Sequence, residues 1–446
     1  MTSSELTRVR LMNIAQLALF AAAGPFFVFP STRFAAAFLL LPLVFALNLT
    51  LRRPILPVTP FNPALLLFCV MLLVSTLATT DLAASLPKIS GVLYGVGAFF
   101  LLAQFTQRSK AWTLGLLLTI LAGFGLAILA LPGTQWNSKL FMLDWLTSYL
   151  PRRLVELPGA QDGFHPVEVA GALLWTIPLT LSAAWAALIR AYPFRPYRRS
   201  VIGAGVFLFV LLTEIVVFIF AQSRAAYLGL GAAVLLVFLL CLQIRLGWPR
   251  FGVLSAGVGV LSGGVLLALW EKIAASVSNL FTQFGQSLLS LGTLGTRQVI
   301  WAGAVTALKD FQVTGMGMNR FREVFFILYP AIGVQNTRDL GHAHNELLQA
   351  GLDLGLPGLA AFLALCLIAV AILVQLIRRD SQPDIPDGST KWIAAGLLAS
   401  LLGHFLFGIL DAVALGAKPG LLFWLLLGLV AGLYQQKQPT PLEERP

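Results

Sequence analysis

Apolar residues along this chain gather into long unbroken runs rather than alternating positions. Twelve can be drawn, at 11–29, 34–50, 63–79, 89–105, 111–131, 167–189, 201–221, 225–244, 251–270, 354–377, 392–410 and 420–435. Each is about as long as a helix must be to cross a hydrocarbon layer about 30 Å thick. None shows the two-residue alternation of a barrel strand, and backbone groups in lipid must bond within their own segment. The pattern predicts an all-α polytopic membrane protein, one integral membrane domain over 1–446 with about twelve transmembrane helices. The first run follows Arg8 and Arg10 but lacks a small-residue cleavage site, so it reads as a retained helix rather than a signal peptide.

Two long polar segments interrupt the runs, at 132–166 and 271–353. Loops of that length generally carry function. In the second, Ile273, Val277, Leu280, Phe281, Phe284 and Leu288 recur at helical spacing among polar neighbours, predicting a helix along the membrane surface. The Gly292–Thr296 stretch is expected to break it. A further helix should then open at Arg297, run through Lys309 and end before Gly315-Met316-Gly317.

Composition changes this picture little. Hydrophobic residues make up 58% of the 446 and charged residues 11%, which excludes a water-soluble globule. The net charge of +11 fits basic loops beside anionic lipid better than nucleic acid. With both termini cytoplasmic, Arg52, Arg53, Arg108, Lys110, Arg190 and Arg195 fall in inner loops. The short outer turns then carry only Arg33, Lys88, Arg224 and Lys418. That bias satisfies the positive-inside rule and puts both long loops outside. Cys69, Cys241 and Cys366 lie within apolar runs and read as packing residues.

The candidate chemistry collects at the outer boundary. Arg224 sits in a very short outer turn, where a guanidinium is costly unless it snorkels, pairs or meets an anion such as phosphate. Arg297, at an expected helix start, could bind an anion with backbone N–H groups, or be a solvated loop arginine. His344 can take a proton from a hydroxyl near neutral pH without a metal. Asn345 could be its partner or simply a helix N-cap. His342 should face elsewhere on a helix and is the weaker choice. Glu214, inside a span, could pair with Arg224 or contact substrate. His165 and Glu168 could line the same cavity, and His404 and Asp411 read as supporting residues. No zinc-like spacing, nucleotide-binding loop or carboxylate cluster is present in the sequence, so neither metal nor other cofactor is expected.

Several of these residues fall into motifs. His344-Asn345, nine residues, then Gly355-Leu356-Pro357-Gly358-Leu359 resembles the C-terminal motif of the O-antigen ligase and O-antigen polymerase superfamily. Ser223-Arg224-Ala225 resembles that family's Ser-Arg-Gly/Ala turn, and Arg297, Trp301 and Gly315-Met316-Gly317 resemble its Arg…Trp…Gly-x-Gly run. Gly163-Phe164-His165-Pro166 is similar to another family segment, with Val167 and Glu168 where an Asn often follows. The resemblance implies a metal-independent, inverting membrane glycosyltransferase of the GT-C type in the bacterial inner membrane, its site facing the periplasm. Its donor would be a glycan on undecaprenyl diphosphate, and its acceptor lipid A–core or another glycan. Arg224 and Arg297 would hold the pyrophosphate and His344 would act on the acceptor hydroxyl.

An O-antigen or exopolysaccharide polymerase uses the same motifs with a different acceptor; the large loop before His344 favours ligase. A lipid-linked oligosaccharide flippase would also need cations facing diphosphate, but transporters place their sites at midplane and show repeats. A cell-wall glycan polymerase would rest on a loop aspartate, and Asp339 lacks a supporting motif.

Overall fold

A computed structural model describes residues 3–51, 53–106, 112–136, 163–189, 197–268, 293–329, 341–379, 389–413 and 415–435. Fourteen α-helices occupy them: α1 Ser3–Val28, α2 Leu40–Ala46, α3 Asn62–Ala78, α4 Leu82–Thr106, α5 Trp112–Gly133, α6 Pro166–Leu173, α7 Ile177–Leu188, α8 Tyr197–Phe220, α9 Arg224–Ala268, α10 Thr293–Asp310, α11 Phe321–Leu328, α12 Glu346–Arg379, α13 Ser389–Leu410 and α14 Leu421–Gln435. No named strand occurs among the described residues, only an isolated bridge between Thr134 and Phe164. The all-α polytopic fold is therefore observed.

The expected count of spans is not reproduced. Among the described residues nine helices are long and apolar enough to cross a membrane, with two shorter apolar helices at 36–50 and 62–78. One reason is plain: the expected eighth and ninth spans lie on the single 45-residue helix α9, which continues through Pro249. A proline deletes one backbone donor but need not end a helix whose neighbouring bonds survive. The expected surface helix at 273–288, and most of the first long loop, lie outside the described residues.

Apolar lipid supplies no hydrophobic drive between helices, so association rests on close packing and buried polar bonds. Both are visible. α4 lies along α14 and α9 along α13. A Cβ at Gly95 would stand 2.1 Å from the Trp424 ring, so glycine is what lets the indole lie on α4. Gln16, Asn48 and Gln104 close a ring of side-chain amides joining α1, α4 and the Leu47–Leu51 turn, each bond 2.9 to 3.2 Å.

The pair α9 and α13 fixes where the candidate residues stand. Gly229 and Ala233 meet Gly403, and Val237 clusters with Ala399, so the two helices run antiparallel. At 1.5 Å per residue, Arg224 lies about 8 Å above the Gly229 crossing and Asp411 about 12 Å above Gly403, at the same end of the bundle.

Candidate active site

The first turns of α12 form the base of the site. Asn345 is its N-cap: Oδ1 accepts the Leu348 N–H at 2.9 Å, and Nδ2 donates to the Ile409 carbonyl at 2.9 Å. The capping option is thus the one its geometry fills, with a tie to α13 added. Nearly three turns on, Gly355 adopts φ 74° and bends the helix. The bend frees backbone groups, and the loop after α10 takes them up. Met316 N–H donates to Leu352 O and Leu356 N–H to Gln312 O, both at 2.6 Å, while Ser75 Oγ donates to Asp353 O at 2.6 Å. Gly315 and Gly355 must be glycine here, because each has positive φ and a Cβ would lie within 2.7 Å of the opposing backbone. The Gly-x-Gly and Gly-Leu-Pro-Gly motifs are therefore two halves of one joint.

The segment 341–345 is not helical, and His344 adopts a left-handed backbone with φ 47°. Such a conformation in a residue with a side chain persists only when its surroundings hold it. Here Ala343 is clamped from both sides: its N–H donates to Gln349 Oε1 at 2.9 Å and its carbonyl accepts from Trp301 Nε1 at 3.0 Å. Trp301 lies one turn beyond Arg297 on α10, so both project from one helix face.

Both histidines and Arg297 converge on Asp411, the residue just past α13. Arg297 Nη2 lies 3.1 Å from Oδ2, and His344 Nδ1 lies 3.4 Å from Oδ1. Oδ1 also accepts the Ala412 N–H at 3.0 Å, and His342 Nε2 stands 3.8 Å away. The Asp411 side chain is 7% exposed, against 29% for His344, so the carboxylate is the buried member and the imidazole the accessible one. Burial pushes the Asp411 carboxyl up. The His344 hydrogen bond and the charges of His342, His344 and Arg297 outweigh that and hold it below the usual range. Burial drives His342 down to about 3, with His344, Lys88 and His165 acting in the same direction against Asp411.

Among the described residues the set nearest to a metal site is this same trio, His342, His344 and Asp411, with ligand atoms within 4.8 Å of one another. Its bonding is that of a hydrogen-bond cluster. His342 Nδ1 accepts the His344 N–H at 3.1 Å, which assigns the proton of the neutral ring to Nε2, facing Asp411. Arg297 holds the second carboxylate oxygen. With Nδ1–H of His344 directed at Asp411, its Nε2 keeps the lone pair.

Several expectations need correction. α10 begins at Thr293, so Arg297 lies in its second turn and has no helix N-terminus beside it. Thr293, Gly295 and Thr296, expected to break the chain, are helical, and Gly292 lies outside the described residues. His342 does not face away: lying outside any helix, its ring is 4.4 Å from that of His344. Glu214 is fully buried among Gly123, Thr176 and Thr180, and forms no ion pair with Arg224 among the described residues. Arg224 opens α9, exposed and without a bond to the Asp411 cluster. His165 precedes α6 close enough to act electrostatically on His342, and Glu168 follows in the first turn of α6. His404 joins Glu346 at 2.6 Å and the Gly171 carbonyl at 2.9 Å while stacking on Trp175, binding α13 to α12 and α6.

Asp411 is the residue whose centrality the sequence left out. Its only signal there was an acid at the same boundary as the candidate arginines.

Residues 206–363 match the O-antigen ligase family. The match bears out the resemblance to the O-antigen ligase and polymerase superfamily, and with it a ligase- or polymerase-type function in a multi-pass membrane protein. No curated protein matches the chain. The ligase-family segment contains Arg224, Arg297, His344 and the bend at Gly355, whereas Asp411 lies beyond it.

Proposed function

We propose that the chain is an O-antigen ligase-type glycosyltransferase. It moves a glycan from undecaprenyl diphosphate to a hydroxyl of lipid A–core at the periplasmic face of the bacterial inner membrane. The observation that carries this reading is the meeting of His344 and Arg297 on the buried carboxylate of Asp411. Asp411 holds His344 in the tautomer whose Nε2 is a base, and holds Arg297 without neutralising every donor of its fork.

The chemistry needs little more. The acceptor hydroxyl gives its proton to His344 Nε2 as its oxygen bonds to the anomeric carbon. The bond from that carbon to the diphosphate oxygen breaks, and its electron pair leaves with the diphosphate. Arg297 and the exposed Arg224 stabilise the growing negative charge. Attack from the face opposite the leaving group inverts the anomeric centre. Because the diphosphate is already an activated leaving group, the step depends on alignment and charge stabilisation, with no metal in it.

The test is transfer in vesicles reconstituted with purified protein, donor and acceptor. The H344A variant should lose about 10²- to 10⁴-fold in transfer while remaining folded and inserted. Normal product from folded H344A would overturn the reading.

A further inference from the structure

Lys88, whose charge acts on His342, borders a space lined by none of the residues that meet on Asp411. A cavity of about 240 Å³ opens there between the end of α1, the second turn of α4, the start of α6 and the turn that leads into α14. Its charged lining is Lys88, Lys418 and Glu168. Lys88 is half-buried and has no ion-pair partner among the described residues. The Lys418 ammonium lies 4.4 Å from the centre of the Phe29 ring. A lysine at the edge of a membrane bundle that forms no ion pair, as Lys88 does among the described residues, is stabilised by water or an anion beside it.

The chamber is a built feature. A Cβ at Gly91 would stand 2.0 Å from the Gly416 carbonyl oxygen, and one at Gly416, where φ is 76°, would stand 1.9 Å from the Lys88 carbonyl oxygen. Two facing glycines thus let the 415–420 turn lie directly on α4, bringing both lysines to one space. Lys88 also stands close enough to His342 for its charge to act there.

The chamber does not end in the polar layer. A groove of about 320 Å³ shares Val28, Phe164, Lys418 and Leu421 with it and runs down α5 past Gly125, Leu126 and Leu129. Leu129 is exposed on the lipid-facing side, and Gly125 has open space where a side chain would project. A cationic chamber that continues into an apolar groove fits one molecule with an anionic head and a hydrocarbon tail.

We propose that this space binds a phosphate-bearing lipid, with its head at Lys88 and Lys418 and its tail in the α5 groove, and that this lipid is the acceptor. The second half of the statement rests on the transferase reading above. The donor diphosphate then occupies the Arg297 flank, and Glu168 stands where it can accept a hydrogen bond from an acceptor hydroxyl. The two lipids approach His344 from different sides, as a transfer between two membrane-bound molecules requires.

The test uses full-length protein in micelles, phosphatidic acid as probe, and native mass spectrometry to count bound lipid. Replacing both lysines, K88Q with K418Q, should weaken phosphatidic acid binding about tenfold, about threefold for each partly solvated contact. Diacylglycerol with the same chains should bind poorly to both proteins. The G125W variant, which fills the groove without touching the lysines, should also weaken the phosphatidic acid complex. Unchanged binding in the double-lysine and G125W variants would overturn the site. Inorganic phosphate binding as tightly as phosphatidic acid would overturn its lipid character. In the transfer assay the double-lysine variant should raise KM for acceptor about tenfold and leave KM for donor unchanged. A shift confined to donor KM would overturn the acceptor assignment. The binding measurement involves no turnover, so its result stands apart from the fate of the transferase reading.

Discussion

Replacing Asp411 with Asn tests the centre of the site with little change in volume. The amide keeps the shape of the carboxylate but presents one NH2 where an acceptor stood. If that NH2 faces Arg297, two donors meet; if it faces His344, the imidazole must turn Nδ1 into an acceptor and move its proton to Nε2. The second arrangement removes the base while leaving the ring in place. The loss should therefore approach that of H344A, about 10²- to 10⁴-fold in transfer. At 3.1 Å the Arg297–Asp411 attraction is about 5 kcal/mol at an effective dielectric of 20, before desolvation is deducted. Arg297 is 21% exposed and can recover water, so the net cost to stability should be about 2 kcal/mol. Transfer in reconstituted vesicles gives the first quantity and denaturant unfolding in micelles the second. Combining D411N with H344A should add little beyond H344A alone, because both act through one proton transfer. A folded D411N protein retaining more than about a tenth of wild-type transfer would refute the tautomer argument.

Four further outcomes are expected. R297K should lower transfer about 10- to 100-fold, since a point charge cannot span Asp411 and a diphosphate together; R224K, read in the same assay, should weaken donor use by a similar factor. G355A should destabilise the fold by about 2–4 kcal/mol, because its Cβ would meet the Val313 carbonyl oxygen at 2.2 Å and its φ is 74°; denaturant unfolding reads this, and a loss below about 1 kcal/mol would contradict the joint. His342 is held at about 3, so the folded state resists a proton that the unfolded chain accepts near pH 6.5. Stability contributed by the neutral ring is complete above that pH and is lost as pH falls toward 3, so H342F should flatten the acid limb of an unfolding-versus-pH curve.

What the sequence made legible follows from how local each signal is. The membrane class was readable because a span needs only composition and length. His344, Asn345, Trp301 and the two glycine motifs were readable as spacings, but not as a joint. That Gly315 and Gly355 meet is a fact about the loop after α10 lying on the bend of α12, and no periodicity encodes it. Arg297 was located, yet its start-of-helix setting was wrong, because Thr293 to Thr296 join the helix in spite of Gly295. His342 was misjudged by assuming helical spacing for a segment whose left-handed residue turns both rings to one side. Asp411 was read only as a supporting residue, without its partners, because those lie 67 and 114 residues away along the chain. The count of twelve is not confirmed among the described residues, in part because at Pro249 a local breaker is overruled by the helix on either side.

The strain at His344 ties these pieces into one argument. A left-handed backbone in a residue of this kind costs about 1–3 kcal/mol and is retained only if several contacts oppose its relaxation. Those contacts come from separate elements: Trp301 on α10, Gln349 and Asn345 on α12, and Asp411 after α13. If the left-handed turn served packing alone, a glycine at 344 would relieve it at no cost to the fold. The imidazole would then be the only thing missing. H344G should accordingly stay within about 1 kcal/mol of wild type in denaturant unfolding, the relieved strain offsetting the lost Asp411 contact and the freedom of glycine in the unfolded chain, and be as inactive as H344A in transfer. A marked loss of stability in H344G would instead make the imidazole a structural prop, and the case for it as the base would fail with that result.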